Sequence, residues 1–280
     1  MNKKLFCSKW HLFTALLLLQ VVHAHEFWLQ PQQFHFNRGE QANIRFRVGD
    51  HFEGENWSGN RSRIQQLTLH YGDTKDDLSA QLSTQSGDSM QFSIFEEGTV
   101  LVSFQSTNSF IELEPEKFKA YLEEDGLQAA LDFRYKHNET DSVGREYYQR
   151  SVKTLLQYGT VATQTYRAPT HLPLDLIPLV HPYQLGSGDT MRLRILFQNQ
   201  PVAGIKLRTW HRLAGTVTEN VWYSNEAGEV RFPFHRSGEW MASCVHMIRL
   251  ENDRKAQWQS YWGSITWGYT GKAMQQARSR

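Results

Sequence analysis

Apolar and polar residues alternate along this chain in short runs broken by turn residues, a pattern that predicts strands with one buried face. The runs Ala42 to Val48 and Ile64 to Tyr71 alternate in this way, and Gly98 to Ser103 is a third apolar run. Gly39, Gly72-Asp73, Gly87-Asp88 and Gly98 punctuate them. From about Pro115 the period changes, with Phe118, Tyr121, Leu122, Leu127, Ala130 and Leu131 recurring every three or four residues. That spacing predicts helix. A second helix is predicted from Arg145 to Leu156, with Tyr148, Val152, Leu155 and Leu156 on one side. Pro169, Pro173, Pro178 and Pro182 make the stretch from Thr160 to Pro182 an extended connector. Alternation then resumes over Thr190 to Phe197, Ile205 to His211, Val230 to Phe234 and Trp240 to Met247.

The expectation is a mainly β chain with two β-sandwich-like domains, the second immunoglobulin-like or transthyretin-like, and a helical insertion between them. The expected boundaries are a leader over 1–24, a first β domain over 25–115 and a helical hairpin over 116–160. A connector over 161–182, a second sandwich over 183–270 and a basic tail over 271–280 complete the division.

The leader assignment rests on Lys3 and Lys4, an apolar core from Leu12 to Val22, and small residues around Ala24. The apolar core is too short to span a bilayer, which needs about 20 helical residues, so cleavage after Ala24 is the expected outcome. Cleavage removes three lysines and no acid, leaving 27 basic against 29 acidic residues. A near-neutral surface of this kind speaks against nucleic acid as partner, and no further segment is apolar enough to span a membrane. Of the two cysteines only Cys244 survives the cut, so no internal disulfide can form.

Cleavage would also make His25 the first residue, giving it a free α-amine beside its imidazole. The amine loses its proton far more easily than a lysine does, and amine plus Nδ1 form a chelate suited to copper, nickel, cobalt or zinc. Ten histidines survive cleavage, but no HExxH or CxxC spacing is present, so partner ligands must come from distant segments. His246 is the first candidate, on the same side of its strand as Trp240, Ala242 and Cys244; a buried, hydrogen-bonded strand histidine is the competing reading. His211 is the second. Met241 and Met247 point the other way and read as core.

No nucleophile elbow, phosphate loop or dinucleotide fingerprint occurs, so a hydrolase, kinase or dehydrogenase is not expected. The run Glu123-Glu124-Asp125 reads as a solvated helix face, with Arg145, Arg150 and Lys153 as its salt-bridge partners rather than an anion site. Trp258, Trp262 and Trp267 read as packing of a final strand, with sugar stacking as the alternative.

The residues His25-Glu26-Phe27-Trp28-Leu29-x-Pro31, Phe118-x-x-Tyr121-Leu122-Glu123-Glu124-Asp125-Gly126-Leu127 and Arg145-x-x-Tyr148-x-Arg150-x-x-Lys153 resemble a known family. Pro201-Val202-Ala203-Gly204, Gly238-x-Trp240, His246-Met247 and Trp258-x-x-Tyr261-Trp262 extend the resemblance over nearly the whole mature chain. The family is that of domain of unknown function 4198, exported bacterial proteins often labelled periplasmic components of cobalt or nickel uptake. The resemblance implies a periplasmic protein of two β-rich domains that handles a divalent transition metal and passes it to an inner-membrane metal transporter. It adds weight to His25 and His246, and it places Glu26 where an acid would orient an imidazole. Two other classes compete: a carbohydrate- or protein-binding sandwich without metal, and a copper-dependent oxidative enzyme.

Overall fold

A computed structural model describes residues 26–57, 59, 61–84 and 86–270. The leader, His25 and the tail from residue 271 lie outside the described residues. The strands before the helices are β1 (Glu26–Pro31), β2 (His35–Phe36), β3 (Gln41–Asp50), β4 (Glu53–Asn56), β5 (Ile64–Tyr71), β6 (Thr74–Asp77), β7 (Ser89–Ser93), β8 (Gly98–Ser106) and β9 (Ser109–Leu113). Helices α1 (Pro115–Glu124) and α2 (Gln128–Lys136) follow, then β10 (Gly144–Tyr158). The remaining strands are β11 (Leu174–Pro178), β12 (Thr190–Phe197), β13 (Gln200–Pro201), β14 (Lys206–Leu213), β15 (Thr216–Tyr223), β16 (Glu229–Pro233), β17 (Glu239–Arg249) and β18 (Trp258–Gly268). Among the described residues no helix is long and apolar enough to cross a membrane.

The protein is mainly β and sandwich-like, built on one ten-stranded sheet in the order β15-β14-β17-β18-β10-β8-β5-β6, with β2 and β9 also paired to β10. Two small sheets cover opposite faces of it. The sheet β1-β3-β4, with β7 on β3, packs on the face that carries Val100, Val102, Phe104, Val152 and Leu156. The sheet β11-β12-β13, with β16 on β12, packs on the face that carries Leu101, Leu155, Leu207, Trp240, Ile265 and Trp267. Alternate residues of a strand point to opposite faces, so β8 and β10 feed both cores. The two expected sandwiches therefore share their central sheet.

The second predicted helix is corrected here: Arg145 to Leu156 lies within β10, paired parallel to β18 from Glu146 to Thr154. From Ser151 to Tyr158 every residue of β10 is buried. A strand covered on both faces loses its period-two alternation, and the spacing of Tyr148, Val152 and Leu155 then imitates a helix. The helical insertion is accordingly the hairpin α1–α2, whose Phe118, Tyr121, Leu122 and Ala130 pack on Val245, Met247 and Trp258. Pro115 opens α1, and Gly126, at φ +68°, turns the chain out of it. The connector also contains β11, so the second sandwich begins at Leu174 rather than at residue 183.

Candidate functional site

Strand β1 joins the amino-terminal sheet to the outer strands of the large sheet through a ladder of side chains. Glu26, Trp28 and Gln30 point to one side of β1, and Arg208, Trp210 and Arg212 point to one side of β14. In the first tier Glu26 Oε1 lies 4.0 Å from Arg208 Nη1. In the second, Trp28 and Trp210 pack with Phe52 and Met241 in a small apolar cluster. In the third, Gln30 Nε2 donates to Glu239 at 3.2 Å, and Arg212 pairs with the same carboxylate at 3.0 Å. At a strand rise of 3.3 Å per residue the ladder spans about 13 Å.

The first tier is a buried charge cluster. The Arg208 guanidinium pairs closely with Asp125, reaches Glu219 at 3.5 Å, and donates to the Glu124 carbonyl. Lys206 Nζ donates to that carbonyl too, at 2.6 Å. Asp125 caps the carboxyl end of α1, where the helix dipole disfavours an acid, and the two cations supply the compensating charge. A second carboxylate arm runs from Glu146, which accepts from Ser260 Oγ and, at 3.2 Å, from Tyr121 Oη. Trp262 Nε1 donates to the same serine at 3.0 Å.

Glu26, Asp125 and Glu146 are 4%, 3% and 2% exposed, so little water reaches any of them. Each keeps one buried oxygen without a hydrogen-bond partner among the described residues: Glu26 Oε2, Asp125 Oδ2 and Glu146 Oε2. Burial pushes Glu26 up to about 8, against the pull of Arg208 and with help from the Asp125 charge. Burial likewise raises Asp125 to about 6 against Arg208. Glu146 rises to about 8, because desolvation outweighs its hydrogen bonds from Ser260 and Tyr121. Glu26 and Glu146 therefore hold protons at neutral pH, and Asp125 is ionised beside Arg208.

The predicted ligands His246 and His211 are not brought to this cluster. Arg208 pairs in register with Ser243, Ser243 with Ser264, and Ser264 Oγ donates to the Phe27 carbonyl at 2.7 Å, so these side chains share the face that β1 covers. His246, opposite Tyr261, points to the other face, where its ring lies 4.5 Å from Phe197. His211, opposite Trp240, also points there; it stacks on that indole at 4.2 Å and donates from Nε2 to the Ser237 carbonyl at 2.8 Å. Burial lowers the basicity of both rings. The sheet itself separates these histidines from Glu26. Among the described residues no group of three or more His, Cys, Asp or Glu is arranged to hold a metal ion. His25, which precedes Glu26 by one peptide bond, lies outside the described residues.

Other sequence expectations resolve differently. Arg150 and Lys153 make no salt bridge to the acidic helix: Arg150 sits over Phe27 at 4.7 Å and Tyr148 at 5.2 Å. Lys153 forms a buried pair with Asp175 of β11. Trp258 and Trp267 are buried and Trp262 stacks on Tyr121 at 5.9 Å, which removes the exposed row that sugar stacking needs. Met241 and Met247 are core, as expected. Sequence reasoning missed Asp125, Glu146 and Arg208. The one available signal was an acid at the end of a helix, where its charge is unfavourable.

Fold and site together define a class: a mainly β protein whose two sandwiches share one sheet and whose first described strand begins at a buried carboxylate–arginine cluster. The chain belongs to the domain of unknown function family DUF4198, whose sequence profile matches residues 22–248. A comparison with curated proteins found no match. Among solved structures, the chain is similar to Escherichia coli alpha-2-macroglobulin activated by porcine elastase, at 8% identity and TM-score 0.22 over 88% of this chain and 20% of that one. It is also similar to a DUF4785 family protein from Legionella pneumophila, at 8% identity and TM-score 0.22 over 76% of this chain and 50% of that one. A DUF3823 family protein from Bacteroides uniformis gives 8% identity and TM-score 0.23 over 88% of this chain and all of that one. The chain thus spans a fifth and a half of the lengths of the first two. Likenesses this distant carry no argument about fold or function.

Proposed function

We propose that this is an exported periplasmic protein that carries a divalent transition metal at the amino-terminal end of β1 and delivers it to an inner-membrane metal transporter. The observation that carries the reading is Glu26: a buried carboxyl, raised to about 8, with a free oxygen, one peptide bond after the histidine that signal cleavage would expose. His25 supplies amine and imidazole nitrogens. Glu26, with Asp125 behind it on Arg208, releases its proton to solvent on binding and supplies carboxylate oxygen to the cation or to an imidazole N–H. His246 and His211, on the far face of the sheet, take no part in this arrangement.

The order of divalent affinities puts copper above nickel and cobalt at an unconstrained nitrogen chelate, so copper is expected to bind tightest. Mass spectrometry of the exported protein should find His25 as its first residue. Calorimetric titration with copper, nickel, cobalt and zinc then tests the site. One extra residue before His25 should weaken binding at least tenfold, whereas His246→Ala should leave it unchanged. Equal affinity with and without the extra residue refutes the chelate.

A further inference from the structure

The other end of the β1–β14 ladder opens into a cleft of about 610 Å³, a size typical of small-molecule sites. Arg45 and Arg47 of β3 line it from one side and Arg212 of β14 from the other, with Trp28, Phe52, Gln30 and Asn43 completing the walls. Two of the three guanidiniums are held in place. Arg212 lies over the Phe52 ring at 4.2 Å and is paired to Glu239. Arg47 donates to Asn56 Oδ1 at 2.7 Å and to the Gly54 carbonyl. The Arg45 side chain makes no hydrogen bond or ion pair among the described residues.

The charges are not balanced within the cleft. Glu53 is the one acid among its lining residues, against three arginines, and Glu239 neutralises only Arg212. Burial lowers the basicity of Arg47, and the Arg45 and Arg212 charges lower it further, with only Glu55 pulling the other way. Fixed guanidinium forks match the oxygen pairs of carboxylates and phosphates, and their spread over two strands suits several such groups rather than one. Asn43 adds a buried Oδ1 with no hydrogen-bond partner among the described residues, an acceptor for a hydroxyl.

We infer that this cleft binds a small organic polyanion, a hydroxylated di- or tricarboxylate, between Arg45, Arg47 and Arg212. The inference stands apart from the metal site, which lies beyond the Trp28–Trp210 tier. It is tested on the metal-free mature protein by calorimetric titration with citrate, tricarballylate and inorganic phosphate. Citrate should bind, tricarballylate should bind several-fold more weakly for want of the hydroxyl, and phosphate more weakly still. Arg45→Gln, an exposed change that leaves the fold intact, should weaken citrate at least tenfold. Arg212→Lys, which keeps the charge and loses the fork, should also weaken it. Arg254→Gln, on an exposed loop outside the cleft, should not.

Three results would overturn the inference. One is no binding of any of the three anions at millimolar concentration. Another is phosphate binding tighter than citrate, which would make the site one for phosphate. The third is equal loss in the Arg45 and Arg254 variants, which would reduce the effect to surface charge.

Discussion

Replacing Glu26 by Gln isolates the cost of keeping a carboxyl in the first tier of the ladder. The carboxyl has an ordinary value of 4.5 and is raised to about 8 in the fold, with desolvation as the largest cause. Between those values the native protein keeps a proton that the unfolded chain has released, so its stability falls as pH rises. The contribution is complete below the unfolded value and is lost as pH passes the folded one. At about 1.4 kcal/mol per tenfold change in proton affinity, the ceiling on the loss is on the order of 5 kcal/mol. Gln has the same shape and no such titration. Urea denaturation of metal-free protein should give Glu26→Gln and the parent similar stability near pH 4.5. The variant's advantage should then grow steadily to about pH 8 and level off. An advantage that is flat or shrinks across this window would mean that Arg208, 4.0 Å away, outweighs burial and holds Glu26 ionised.

Lys153 and Asp175 form a buried ion pair in which Asp175 also accepts from Thr170 at 2.6 Å. Lys153→Met should cost about 3 to 5 kcal/mol in urea denaturation by stranding the carboxylate, and Lys153→Met with Asp175→Leu should recover most of it. Gly263 of β18 faces Leu176 so closely that an added Cβ would stand 2.7 Å from Cδ1 of that leucine. Gly263→Ala should lower stability by about 1 to 3 kcal/mol in the same assay, and Leu176→Val should relieve part of the loss in the double variant.

Where one face of a strand meets a core and the other meets solvent, the sequence was legible. The runs Ile64 to Tyr71 and Thr190 to Phe197 coincide with β5 and β12 for that reason. The surface helix α1 was legible through its three-to-four-residue spacing. β10 was not, because it is buried on both sides and its polar residues pair with distant partners: Lys153 with Asp175, and Glu146 with Ser260. The site was legible only at its covalent end. Glu26 draws notice as the residue after His25, but its meaning depends on Arg208 and Asp125, which reach it through strand pairing and helix packing that no local pattern encodes. His246 was placed correctly with Trp240, Ala242 and Cys244. What the pattern could not convey is that this side of the sheet is turned away from β1.

The parallel pairing of β10 with β18 places the last described strand between β10 and β17. During synthesis the large sheet therefore exists as two unjoined halves, each with an open edge, until residues near 268 have been made. Chains stopped short of that point would present two sticky edges and should be conspicuous to proteases and chaperones. Dependence on such distant contacts also makes closure slow. A polypeptide that cannot finish its central sheet until β18 is delivered stays incompletely folded while it is being made.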